Sequence, residues 1–271
     1  MTEPIIYLAE TEDRIAFVNG IMEKFRVDFA EPQKPRVLVK PNIVSHEQYP
    51  TTTHPQVLAS VLDFLLDCGS QVVVADGPAV DAGNSDRIIS SHPLAKVCSQ
   101  RGIELQNLHK HGFKKVRTKN MSLEVSTLSF DCDYIVSLPV LKPHQHCYMT
   151  GALKNQFGFL RNRERIMMHA RFKSLSEGIA EVNSVVRPNL FIMDAVETYE
   201  HANERRHGGM GVRLGYMLAG KDPVALDCLG LELLKRIETS LADIRPENVA
   251  YIAHAFRLGL GSIEYKVELV S

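Results

Sequence analysis

Lys142, His144, His146, Lys154, Asn155 and His169 follow one another closely in a polar stretch, Leu138-Pro-Val-Leu-Lys-Pro-His-Gln-His146 and then Thr150-Gly-Ala-Leu-Lys-Asn155. Imidazoles move protons near neutral pH, and a lysine or asparagine beside them steadies the negative charge that proton removal leaves behind. His144, His146 and Lys154 are therefore the catalytic candidates. His144 and His146 lie two apart, so an extended chain puts them on one face. Imidazole also suits zinc, nickel, copper or iron, and His169 with Asp76 or Asp194 is a candidate set for a divalent metal of unspecified identity. Of the two close histidines, His144 is expected to matter more, because Pro143 restricts its backbone.

Anion-binding candidates stand at other predicted element ends. Lys40-Pro41-Asn42 closes an apolar run, and Tyr49-Pro-Thr-Thr-Thr-His-Pro55 opens a helix. A helix start attracts anions and Lys40 would add a fixed charge, which nominates Lys40, Asn42, Thr52, Thr53 and His54 together with Lys142 and Asn155. Capping of the helix is the competing explanation for His54 and one threonine. Asp76-Gly77-Pro78 is a site or a turn, Asp222-Pro223 reads as an N-cap, and His207-Gly-Gly-Met-Gly211 reads as a flexible loop without the Gly-Lys-Ser/Thr of a phosphate loop. Residues 161 to 173 are rich in Lys and Arg and could guide an anion toward the His/Lys stretch, whereas the basic run 109 to 119 reads as a solvated hairpin or loop.

The elements that must position these groups alternate. Strands are predicted at Pro4–Leu8, Arg36–Lys40, Gln71–Asp76, Ile103–Leu105, Tyr134–Leu138 and Leu190–Asp194. Helices are predicted at Glu12–Phe25, Pro55–Cys68, Ser85–Arg101, Leu175–Val186, Asp222–Lys235 and Pro246–Leu258. Such alternation predicts an α/β fold with a mainly parallel central sheet, helices on both faces and residues 1–271 in a single domain. Val37–Val39, Val72–Ala75, Ile135–Ser137 and Phe191–Met193 should be its interior strands. Sites on such sheets gather at the carboxyl ends of strands, so Lys40, Asn42, His54, Asp76, His144, Lys154 and Asp194 are expected to line one pocket.

Composition narrows the classes. With 31 Lys+Arg against 32 Asp+Glu, the chain is not built to neutralise nucleic-acid phosphates. No apolar run is long enough to cross a bilayer, and the opening Met-Thr-Glu-Pro lacks a signal-peptide pattern, which predicts a cytoplasmic protein. The 5 cysteines are scattered without a Cys-x-x-Cys, so no local iron–sulfur motif is present and reduced thiols fit best. The expected partner is a small anionic ligand, with neither nucleic acid nor membrane, and a homo-oligomer stays open.

In order along the chain, Lys40-Pro41-Asn42, Thr52-Thr53-His54-Pro55, Asp76-Gly77, Leu138 to His144, Thr150 to Asn155, Phe157-Gly158, His169, Asp194-Ala195 and Ala219-Gly-Lys-Asp-Pro-Val-Ala-Leu-Asp227 resemble the family catalogued as domain of unknown function 362, over about residues 36 to 260. Relatives with added ferredoxin-like cysteine motifs exist in that family; this chain carries none. Pro143-His144, Thr150-Gly-Ala-Leu-Lys154, Phe157-Gly158 and His169 also resemble, more distantly, a segment of the nickel-pincer lactate racemases. That resemblance implies His144 as an acid/base, Lys154 as a cofactor attachment point and His169 as a metal ligand. Lys40-Pro41-Asn42 stands where those racemases carry an arginine-rich motif.

Two expectations follow. The first is an enzyme, metal-dependent or not, acting by proton transfer on a small carboxylate- or phosphate-bearing substrate, of isomerase, racemase or lyase type. No Ser or Cys is framed as a nucleophile, which disfavours hydrolysis. The alternative is a non-catalytic metal- or anion-binding protein using the same residues.

Overall fold

The computed structural model describes residues 3–29 and 35–270. Twelve strands occur among them: β1 (Ile5–Glu10), β2 (Arg36–Lys40), β3 (Gln71–Asp76), β4 (Leu105–Asn107), β5 (Phe113–Arg117), β6 (Ser122–Ser126), β7 (Tyr134–Ser137), β8 (Lys142–His144), β9 (Tyr148–Thr150), β10 (Leu190–Glu200), β11 (Met210–Gly220) and β12 (Lys266–Leu269). The α-helices are α1 (Arg14–Lys24), α2 (Pro55–Asp67), α3 (Ser85–Ser91), α4 (Pro93–Ser99), α5 (Ala152–Asn155), α6 (Asn162–His169), α7 (Leu175–Val185), α8 (Pro223–Leu234) and α9 (Ala250–Arg257).

Eight strands form one sheet in the order β12-β1-β11-β10-β7-β2-β3-β4. Pairing is parallel from β10 to β4 and between β12 and β1, while β11 runs antiparallel to both neighbours. The four segments expected as interior strands lie side by side as β10, β7, β2 and β3. They are apolar throughout because both faces are covered. Val37 and Val39 face a core shared with α1, α2 and α4, whereas Leu38 faces one shared with α7, α8 and α9. Leu190 and Ile192 alternate in the same way with Phe191 and Met193. Helices therefore cover both faces, as the alternation predicted.

Three departures have local causes. The single helix expected over Ser85–Arg101 is broken at His92, whose extended backbone precedes Pro93, a residue that cannot continue a helix. Strand β10 does not stop at Asp194 but runs on to Glu200 through a register shift between Ala195 and Glu197. The expected loop 207–211 is a tight turn at Gly208 (φ 90°) that feeds β11. The basic run beginning at His109 forms the β5–β6 hairpin, with its lysines exposed.

Candidate functional site

Strands β3 and β4 extend the sheet on one side of β2, and β7 returns to the other. The crevice beyond the carboxyl ends of β2 and β7 is thus a topological switch point, the place where ligands bind in open α/β sheets. Lys40 ends β2 and Asp76 ends β3, and these two side chains, 1% and 2% exposed, form a buried ion pair. Asp76 is fully engaged: Oδ1 accepts from Lys40 Nζ and from Gly77 N at 2.7 Å, and Oδ2 accepts from Ile43 N. Asn155 lies against the pair, with Oδ1 3.4 Å from Lys40 Nζ, and its Nδ2 donates to Ser137 Oγ at 2.9 Å. Packing here leaves no room for a side chain at two glycines. A Cβ on Gly77 would collide with Gly158 O and lie 2.8 Å from His109 Nε2, and one on Gly158 would lie 2.9 Å from Asp76 Oδ1. Gly77→Ala is expected to cost about 1–3 kcal/mol, read from the denaturant midpoint, because backbone on both sides must shift.

Above this floor the β8–β9 hairpin, α5, α6 and residues 203–207 enclose a cavity of about 560 Å³. Lys40, Asn42, Asp76, Lys142, His144, His146, Lys154, Asn155 and His169 all reach its wall, so nine of the residues nominated from sequence converge. Lys142, 1% exposed, donates to Asn42 Oδ1 at 3.1 Å and to Thr51 O, both neutral acceptors. Burial pushes its ammonium down to about 7, against the opposing pull of Glu204. Lys154 is held at the wall by α5, whose first turn is capped by the buried Asp227 through Ala152 N at 2.6 Å and Leu153 N at 3.2 Å. Burial also lowers Lys154, whose ammonium has no hydrogen-bond or ion-pair partner among the described residues.

His144 is not the neutral-pH titrator that its residue type suggested. Burial first, and then the nearby Lys154 charge, pushes it down to about 2, so the ring is neutral at pH 7. Its Nδ1 accepts from His146 N at 3.1 Å, which places the ring proton on Nε2. His169 is lowered by burial and then by Lys154. Arg165 was foreshadowed only as part of a basic stretch. It is 3% exposed, donates to Gly77 O at 3.0 Å, to Pro78 O at 2.8 Å and to His109 Nε2 at 2.6 Å, and pairs with no carboxylate among the described residues.

Four nominated residues lie elsewhere. Asp194, expected in the pocket and as a metal ligand, is turned toward the opposite neighbours, accepting from Arg14 Nε at 2.7 Å, Tyr49 OH at 2.8 Å and Val196 N at 2.9 Å. His54 caps its own helix through Gln56 N and packs edge-on against Tyr49. Thr53 bridges Asn42 N and Leu138 O, and Thr52 donates to Glu47 O. The hydroxyl run thus ties β2 to the segment after β7. With Asp76 saturated and Asp194 elsewhere, the expected ligand set of His169, Asp76 and Asp194 does not form. No group of three or more His, Cys, Asp or Glu that could hold a metal ion occurs among the described residues.

The family described as domain of unknown function (DUF362) matches residues 37–232, most of the chain and all of the cavity. The chain belongs to the DUF362 family. This DUF362 protein is 24% identical over 231 residues to a thylakoid-associated protein of Synechocystis sp., covering 83% of this chain and 68% of the relative. Among solved structures, its fold is similar to the lactate racemase apoprotein from Thermoanaerobacterium thermosaccharolyticum, with a TM-score of 0.55 and 14% identity over 85% of this chain. The chain spans 57% of that racemase's length. A second similar structure, a protein from Thermotoga maritima, gives a TM-score of 0.46 at 13% identity. No described helix is long and apolar enough to cross a membrane.

Lys154 and His169 both line the cavity.

Proposed function

We propose that this DUF362 protein binds a small carboxylate- or phosphate-bearing molecule in the cavity and moves a proton on it, as an isomerase, racemase or lyase does. The observation that carries this reading is the presence of Lys142, Lys154 and Arg165 on one cavity wall without a carboxylate partner among the described residues. Buried cations of this kind are costly unless an anion completes them. His144 offers Nε2–H as a hydrogen-bond donor. A bound anion would offset the Lys154 charge, the second cause of the ring's low basicity after burial; a proton taken up at Nδ1, in place of the bond from His146 N, would then leave Nε2–H to pass to the substrate. Lys142 and Lys154 would hold the anionic end, and the 560 Å³ volume suits a small metabolite.

Proton transfer predicts exchange with solvent. Protein isolated from cells, incubated in deuterated water with a panel of 2-hydroxy carboxylates, should wash deuterium into the carbon next to the carboxylate of at least one of them, as read by proton NMR. His144→Ala should slow that exchange by about 10²–10⁴-fold with little change in thermal midpoint. Exchange unchanged in the variant would remove His144 from the reaction. Anion binding without exchange would favour the second reading, a non-catalytic anion binder, to which the low basicity of His144 in the empty site also points.

A further inference from the structure

The cationic groups of the cavity fall into two poles anchored on different strands. Lys142 is tied to Asn42 and Thr51, beyond the end of β2 on the side of β7. Arg165 is tied to Gly77 and Pro78, beyond the end of β3, and to His109, which follows β4. Between them the Lys40–Asp76 pair closes the floor as a mutually neutralised partition. Neighbouring strands stand about 4.8 Å apart, so one to three spacings put the poles roughly 5–14 Å from each other.

The placement of charges agrees with two poles. Arg206 binds both carboxylates of the rim, Glu204 at 2.7 Å and Asp81 at 3.0 Å. Glu204 and Glu47 act on Lys142 from a distance, and Asp76 and Asp81 on Arg165, but neither cation has a carboxylate within ion-pair distance among the described residues. A small monoanion would reach one pole and leave the other without a direct counter-charge, which is unfavourable for a buried cation.

We infer that the natural ligand carries two anionic groups, one held by Lys142 and Lys154 beside His144 and the other by Arg165. The inference rests on the anion-binding reading above and deepens it. The reacting carbon then belongs to the Lys142 end, where His144 stands, and the Arg165 end selects for length and charge.

Calorimetric titration with acetate, malonate, succinate, glutarate and 3-phosphonopropionate tests this on the unmodified protein. At least one two-headed probe should bind tenfold or more tighter than acetate, since each charge-assisted contact is worth about that factor. In Arg165→Gln that advantage over acetate should collapse. Comparing 3-phosphonopropionate with succinate decides whether the second group is phosphate-like or a carboxylate. If Arg165→Gln does not fold, Lys142→Gln gives the same comparison from the other pole and should also abolish the advantage. Equal affinity for acetate and every two-headed probe overturns the inference and leaves anion binding standing. Failure of all five probes to bind overturns the reading beneath it.

Discussion

Asp76→Ala is expected to lower the free energy of unfolding by about 3–5 kcal/mol, the largest loss of stability for any single change at this site. Asp76 receives Lys40 Nζ and the backbone N–H groups of Ile43 and Gly77, so alanine strands a buried ammonium and two buried donors together. Lys40 is already lowered by burial, with Asp76 as its principal support. Urea titration with the midpoint read by circular dichroism measures the loss. A double replacement, Lys40→Met with Asp76→Leu, removes both charges and should recover part of it. A loss below about 1 kcal/mol for Asp76→Ala would mean that the pair does not organise the cavity floor.

Lys142→Met should move stability and binding in opposite directions. An ammonium held by two neutral oxygens and no carboxylate is destabilising to bury, and replacing buried charge with apolar volume is commonly neutral or stabilising by about 1–4 kcal/mol. The variant should therefore melt at the same or a higher temperature while losing about 10–100-fold in affinity for small anions. The pH dependence gives a second signature. Lys142 falls from its unfolded value near 10.4 to about 7, so between these values the unfolded chain binds more protons than the folded one. That term makes stability rise as pH increases from about 7 to 10, and the rise should be smaller in Lys142→Met by the contribution of one proton. A variant that melts far lower and still binds anions would show Lys142 to be a structural residue.

The strands of the central sheet were legible because burial on both faces leaves an unbroken apolar signature, as in Val37-Leu38-Val39 and Val72-Val73-Val74-Ala75. Strand β11 was not. Its first half is exposed and punctuated by Gly211 and Gly215, and its partners β1 and β10 are distant in sequence. In the site, the groups after β2, β3 and β7 were readable because a polar residue at the end of a buried strand has little else to do. The same rule misplaced Asp194, whose partners Arg14 and Tyr49 lie 180 and 145 residues away and leave no local mark. His54 stands at a helix start, as read, but its own ring supplies the cap, a role a single sequence cannot separate from anion binding. Arg165 and Asp227 carried the weakest signals. One was an arginine among several in a basic helix, and the other lay inside the apolar helix α8.

The central claim is that the cavity bounded by Lys142, Lys154 and Arg165 takes a small anion. Isothermal calorimetry of the unmodified protein at pH 8 with succinate, run in phosphate-free buffers of high and low ionisation enthalpy, tests it most directly. Lys142, lowered by burial to about 7, is mostly deprotonated in the empty cavity at that pH, and an adjacent anion raises it. Binding should therefore saturate at one succinate per chain and take up close to one proton; in Lys142→Met the affinity should fall about 10–100-fold and the proton uptake should vanish. Absence of binding, or saturable binding that releases protons and survives Lys142→Met, would contradict the account.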